Sequence, residues 1–507
     1  MTHFLRLIVA AFVVAGAAQI PMNPAASHEA RPDTRAGSFD KLDQRIGDWV
    51  DTGDPVGAEL LIMRGDQTIF RKAYGWDDRE EGRAMQTGSI FRIRSMTKPI
   101  LGTAVLMLLD KGRFSLDDPV SRYLPAFDNE NHSQITIKEL LTHTSGMGDH
   151  GFGDIGLSKP PSEFKSLAAL VDAISQTNTN GPRGGFLYSD SNSAILGQLV
   201  AVVSGMPLED FIQTRIFDPL GMEDSHTFFS PELAWASRMN STYRASRESC
   251  AYDRYWDRSQ AQVFPYFRAS GGVYSTTEDY ARFLSLWLND GVFDGNRMLS
   301  SELVSLALKK YAEGYPGQGY GFHWSIFGEV DETGSAEVFG HGGSDGTLAY
   351  VFRESGMSVL FFTQTRTSPA RQRFADALRR TSGFDNLHRT WWPELRAELD
   401  AAKVSNTSAR GQHERFIGSY RHQQADRNLT LTIEKVDDRY HGELSTGSEI
   451  NFYPSPDGTL IGEFLGCDTL AIKAEITTGS DKEPILSLKR EDGLNPRFVE
   501  TSKSSGH

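Results

Sequence analysis

The stretch GSIFRIRSMTKPILGTAVLMLLDKG, Gly88 to Gly112, decides the reading of this chain. From Thr97 to Leu109 it has helical length and is apolar on nearly every face. A helix of that kind runs through a core rather than along a surface. Lys98 stands in its first turn, where water is excluded, and follows Ser95 by three residues. That spacing puts both side chains on one helix face. Pro99 fits as well, because the first N–H groups of a helix have no intrahelical acceptor. Burial disfavours an ammonium and lowers its pKa, so Lys98 is expected to serve as a base beside the Ser95 hydroxyl. The helix N-terminus adds positive potential and a backbone N–H for an oxyanion.

Ser-x-x-Lys is short enough to recur by chance. The pairs Ser38/Lys41 and Ser162/Lys165 are read as helix N-caps followed by surface lysines. A rival nucleophile is Ser344, in the string Gly342-Gly343-Ser344-Asp345-Gly346. G-x-S-x-G marks a nucleophile elbow only between a strand and a helix. Here the following TLAYVFRE, from Thr347, reads as a strand.

Around this centre the pattern alternates. Residues 38–51 have helical periodicity, and GAELLIMRGDQTIFRKAYGWDD, from Gly57, reads as a hairpin. TIKELLTHTSGM, SLAALVDAIS, SDSNSAILGQLVAVVSG and PLEDFIQTRIFDPLG read as helical pieces, and Thr276 opens a capped helix. YGFHWSIFG, AEVFGHGG, TLAYVFRE and MSVLFFTQ read as strands before a last helix, PARQRFADALRR. Strands early and late around helices predict one α/β unit whose sheet joins both ends of the segment. Beyond it, 386–412 reads as a linker. From 413 to 500, short alternating strands and the turn Pro456-Asp457-Gly458 predict a C-terminal all-β barrel-like domain.

The chain has 507 residues and a formal net charge of -14. That charge, with no run of Lys and Arg, argues against nucleic acid as a partner. The first residues, MTHFLRLIVAAFVVAGAAQ, read as an export signal, taken as residues 1–26, and imply a secreted or periplasmic protein. A retained N-terminal anchor is the other reading. No other stretch is long and apolar enough to span a bilayer once the signal is removed. Cys250 and Cys467 are open to two readings, a disulfide or two separate buried thiols. No H-E-x-x-H, C-x-x-C or P-loop is present, so neither metal nor cofactor is expected. Oligomeric state is left open.

At this point the chain resembles the serine β-lactamase and penicillin-binding-protein superfamily. It is most similar to the class C-like branch of esterases, D-aminopeptidases and DD-peptidases. The resemblance rests on Ser95-Met96-Thr97-Lys98, on Tyr188-Ser189-Asp190 and on His341-Gly342-Gly343, in family order, and covers about 38–385. It implies a β-lactamase-like domain, an antiparallel sheet flanked by helices plus an all-helical region. The C-terminal domain resembles a lipocalin-like one. The resemblance implies that Ser95 forms an acyl-enzyme while Lys98 and Tyr188 shuttle its proton. The backbone N–H groups of Ser95 and Ser344 would form the oxyanion hole. Asp190, His341, Gly342 and Gly343 would face the substrate, the glycines allowing its close approach.

Two departures matter. Asp190 stands where the family has an amide, and His341 where lactamases and peptidases have a lysine that favours a substrate carboxylate. A neutral imidazole weakens that attraction. The expected activity is therefore hydrolysis of carboxylic esters or small amides. Alternatives are a D-amino-acid peptidase or β-lactamase, a transacylase, and an acylation-silent sensor or binding protein. The partner is a small-molecule ester, amide or peptide substrate. Its selection is expected to fall to loops within 146–164 and 225–268.

Overall fold

A computed structural model describes residues 39–148, 157–179, 181–245, 252–314, 318–366 and 368–387. Toward the C-terminus it describes 398–399, 401–402, 413–422, 430–436, 439–444, 449–455, 457–465, 471–478, 484–490 and 497–502. The export signal, Ser38, Cys250 and Cys467 lie outside the described residues.

The predicted hairpin forms from strands Gly57–Arg64 and Gln67–Asp78. It sits inside a nine-stranded antiparallel sheet, and its first strand pairs with Met357–Thr363, Leu61 opposite Leu360. The next strands outward are Leu348–Phe352 and Val338–Gly342. The sheet therefore closes over both ends of the segment, as expected. Because side chains alternate across a strand, Leu60, Ile62, Val359 and Phe361 face one side. Leu61, Leu360 and Phe362 face the other.

The first side is covered by helices Asp40–Asp51 and Ala370–Arg379, through Leu42, Ile46, Phe374 and Leu378. The second carries the larger core, with helices Thr97–Asp110, Asp190–Ser204 and Thr277–Leu288. Every residue from Thr97 to Leu108 is buried, Lys98 among them. Thr276 caps the Thr277–Leu288 helix by accepting from the Asp279 N–H.

Three expectations need correction. TIKELLTHTSGM is helical only over Ile137–Leu141. Thr142 and Thr144 hydrogen-bond each other at 2.8 Å, and His143 takes a left-handed φ of 55°. Side-chain hydroxyls here supply partners that compete with a continuing helix. YGFHWSIFG is not one strand but a pair, Gly319–Tyr320 and Ser325–Ile326, folded on each other around His323 at φ 57°. Ser162 is no N-cap: it lies within a short turn of helix capped by Pro160, although Lys165 is exposed as expected.

Strands Gly418–His422, Thr430–Val436, Arg439–Leu444, Glu449–Pro454, Leu460–Leu465, Ala471–Thr478, Pro484–Arg490 and Arg497–Ser502 form a closed barrel. Each strand pairs antiparallel with the next, and the last with the first. Its interior is filled by Tyr420, Leu431, Ile433, Ile450, Phe452, Ile472 and Leu486. Leu399 and Ala402, from the segment read as linker, pack with Ile461. Among the described residues no single helix is long and apolar enough to cross a membrane.

Candidate active site

The nucleophile candidate sits where a strand hands over to the buried helix. Phe91–Arg92 pairs with Tyr274–Ser275, a single helical turn spans Arg94–Met96, and the long helix starts at Thr97. Ser95 is half-buried, while Lys98 behind it is fully buried. The ammonium of Lys98 has three donors, and beside Tyr188 its partners are Ser95 Oγ at 3.4 Å, Asp190 Oδ1 at 2.6 Å and the Ser270 carbonyl at 3.1 Å.

This geometry reverses one expectation. Burial pushes Lys98 down, but the Asp190 carboxylate, with help from Tyr188, outweighs it, and Lys98 ends above its ordinary value. Lys98 is thus held as a cation. Tyr188 is also raised, because burial outweighs the Lys98 charge and the hydrogen bonds with Lys98 and Ser95 that favour its phenolate. The Lys98 Nζ lies 4.7 Å from the Tyr188 ring centre.

Asp190 is buried at the first turn of its helix. One carboxylate oxygen takes Lys98 and the other takes Arg268. Its two oxygens are therefore engaged by the protein's own cations, not presented to a ligand. Arg268, 22% exposed, also donates to Ser270 Oγ at 3.0 Å, so the loop that carries the Lys98 acceptor is tied to the same carboxylate. Nothing in the sequence singled out Arg268.

His341 lies on the strand facing this cluster, its ring centre 6.3 Å from that of Tyr188. Its Nδ1–H donates to the Gly342 carbonyl at 2.8 Å, which leaves Nε2 to accept from the Tyr320 hydroxyl at 3.2 Å. Burial first, then the Lys98 charge, lowers His341 to about 3, so it is neutral at ordinary pH.

The two glycines after it have other duties than those expected. A Cβ at Gly342 would lie 2.9 Å from the Arg371 guanidinium. One at Gly343 would lie 2.3 Å from the Ile93 carbonyl and 2.3 Å from Thr347 Oγ1. Backbone contact within the protein demands the glycine at 343, whereas at 342 only the end of a flexible arginine stands in the way. Ser344 follows in a turn that leads into strand Leu348–Phe352, not into a helix, so the elbow geometry is absent there. Its backbone N–H has no acceptor among the described residues.

His143 organises Tyr188. Its carbonyl accepts from the Leu187 N–H at 2.8 Å. Its Nδ1 accepts from the Ser189 N–H at 3.3 Å and from the Asn192 amide at 3.0 Å. The ring lies 4.5 Å from the Tyr188 ring, centre to centre. The left-handed turn at His143 turned the chain back; no periodicity announces it.

Residues 42–383 match the Beta-lactamase family. The chain is 30% identical over 341 residues to "Penicillin-binding protein 4" of Amycolatopsis lactamdurans, covering 65% of this chain and 85% of that one. It is 29% identical over 343 residues to "Esterase EstB" of Burkholderia gladioli, covering 61% and 86%. Among solved structures, the octameric penicillin-binding protein homologue from Pyrococcus abyssi superposes with a TM-score of 0.59 at 19% identity, covering 91% of this chain and 99% of that one.

Proposed function

The chain belongs to the Beta-lactamase family and is a serine hydrolase of that family, and from this we propose that it is exported and works through an acyl-enzyme on Ser95, hydrolysing carboxylic esters or small amides. The observation that carries the reading is a half-exposed Ser95 hydroxyl 3.4 Å from a fully buried, carboxylate-held Lys98, with Tyr188 beside both.

Ser95 Oγ attacks the acyl carbonyl as its proton passes to the Tyr188/Lys98 pair, and the carbonyl oxygen becomes an oxyanion. The backbone N–H groups of Ser95 and Ser344 receive that oxygen. Collapse expels the alcohol or amine, which takes the proton back, and water then repeats the sequence on the acyl-enzyme. The pair accepts a proton only after it has lost one, and the two groups titrate together. Both are shifted upward from ordinary values that are already alkaline, so kcat/KM is expected to keep climbing with pH through neutral and mildly alkaline solution without levelling off.

A neutral His341 supplies no charge for a substrate carboxylate, which favours esters and uncharged amides over peptides with a free C-terminus. The likeness to an esterase supports the same choice. The likeness to a penicillin-binding protein keeps the peptidase and lactamase readings as the alternative.

The test is intact-mass spectrometry of the mature protein with a fluorophosphonate, a penicillin and a short-chain p-nitrophenyl ester, followed by peptide mapping. A permanent fluorophosphonate adduct on Ser95, with transient labelling by the ester, supports the proposal. A folded protein with no adduct on Ser95 sinks it and leaves the binding-protein reading.

A further inference from the structure

A second buried carboxylate binds the residue that precedes Ser95 in the chain. Asp345 is 1% exposed, and it receives the Arg94 Nε at 2.5 Å. Arg92 Nε stands 3.8 Å from the same oxygen. The other oxygen accepts from the Tyr255 hydroxyl at 2.8 Å and faces Arg366 Nη1 at 3.4 Å. The Arg92 guanidinium is backed by the Trp256 ring at 4.5 Å. Tyr255 and Trp256 wall this cluster.

The position of the pair in the chain is what gives it meaning. Arg94 immediately precedes the nucleophile, and Asp345 immediately follows Ser344. Arg94 takes a left-handed φ of 50°, a conformation that a non-glycine residue keeps only where its surroundings hold it. Ile93, one residue before Arg94, and Gly343, two before Asp345, approach so closely that a Cβ at Gly343 would lie 2.3 Å from the Ile93 carbonyl, and that carbonyl accepts from Thr347 Oγ1 at 3.3 Å. The two loops are therefore fastened at Ile93–Thr347 and again at Arg94–Asp345. Next to those fastenings stand the backbones of Ser344 and Ser95, the two N–H groups assigned to the oxyanion.

We propose that the Arg94–Asp345 ion pair is a positioning clamp that sets the spacing of the Ser95 and Ser344 backbone N–H groups. The inference rests on the acyl-transfer reading of Ser95. Neither side chain touches the substrate; each acts through the neighbouring peptide group. Donors aimed at a developing oxyanion act only when they are in register with it, and a misplacement of about 1 Å costs on the order of 10²-fold in rate. Loss of the clamp should therefore appear in kcat rather than in KM.

The experiment compares wild type, Asp345→Asn, Arg94→Lys and Arg94→Gln in the full mature chain, after thermal melts establish which variants fold. Each is assayed with a p-nitrophenyl ester and with the matching thionoester, whose sulfur is a poor acceptor of the hole's hydrogen bonds. Expected for Asp345→Asn and Arg94→Gln is a fall in kcat of about 10²-fold, with KM within about two-fold. The oxoester-to-thionoester rate ratio should shrink in the same variants, and Arg94→Lys should recover part of both losses. A folded Asp345→Asn with unchanged kcat overturns the proposal. So does a fall in kcat with the wild-type ratio retained, which means that the pair acts through the fold alone. If Asp345→Asn does not fold, the two Arg94 variants decide by the same criteria. Fluorophosphonate labelling of the wild type separates the two readings. No Ser95 adduct removes the acyl-transfer premise, whereas an adduct with an unaltered ratio in the variants removes only the clamp.

Discussion

Two buried carboxylates hold cations beside Ser95, and they are built alike but placed differently. Asp190 is shared by Lys98 and Arg268; Asp345 is shared by Arg94, with Arg92 and Arg366 close by. Each cluster carries more positive than negative charge, in a chain whose formal net charge is -14. The difference lies in what the cations touch. Lys98 reaches the nucleophile's own oxygen, so Asp190 governs a proton. Arg94 reaches no reacting atom, so Asp345 governs a distance. One motif of charge pairing thus serves acidity at one carboxylate and geometry at the other.

The widest break in this comparison is Ser95→Ala, which removes what both clusters serve. Turnover should fall on the order of 10⁴-fold or more, measured as ester hydrolysis and as loss of fluorophosphonate labelling. Tyr188→Phe and Lys98→Ala strike the proton side only. Each should cost about 10²- to 10⁴-fold in kcat/KM, with the thionoester ratio kept. Asp190→Asn sharpens the contrast. Taking the carboxylate from an ammonium favours the neutral amine, so the rising limb of the pH–rate profile should move to lower pH by about one unit or more. Asp345→Asn should leave that limb in place. A shift of the limb in Asp345→Asn, or none in Asp190→Asn, would dissolve the division of labour. Ser344→Ala is the smallest expected effect, within about two-fold in kcat/KM, because only its backbone is used.

The sheet, the flanking helices and the barrel were legible because each is announced by local period and by turn residues. Ser95 and Lys98 were legible for the same reason, as a pair three positions apart at the start of a helix that is apolar all round. The charge pairs were not. Lys98 meets Asp190 across 92 positions, and Arg94 meets Asp345 across 251. No periodicity carries information over such spans. Asp190 therefore read as a residue facing substrate, and Lys98 as a base with a lowered pKa, when their union raises it. Arg94 and Asp345 stood in plain view inside FRIRSMTKP and GGSDG. The available signal was a charge beside each motif serine in an otherwise apolar or glycine-rich run.

The order of strands has a consequence for synthesis. Strand Gly57–Arg64 emerges early but lies between the hairpin strand that follows it and Met357–Thr363, a register that brings Ala58 to Thr363. Its second edge stays open until almost the whole domain has left the ribosome, and contacts of such long sequence separation form slowly. A nascent chain of this kind cannot complete its sheet ahead of time. Until then it carries an exposed strand edge that chaperones must shield.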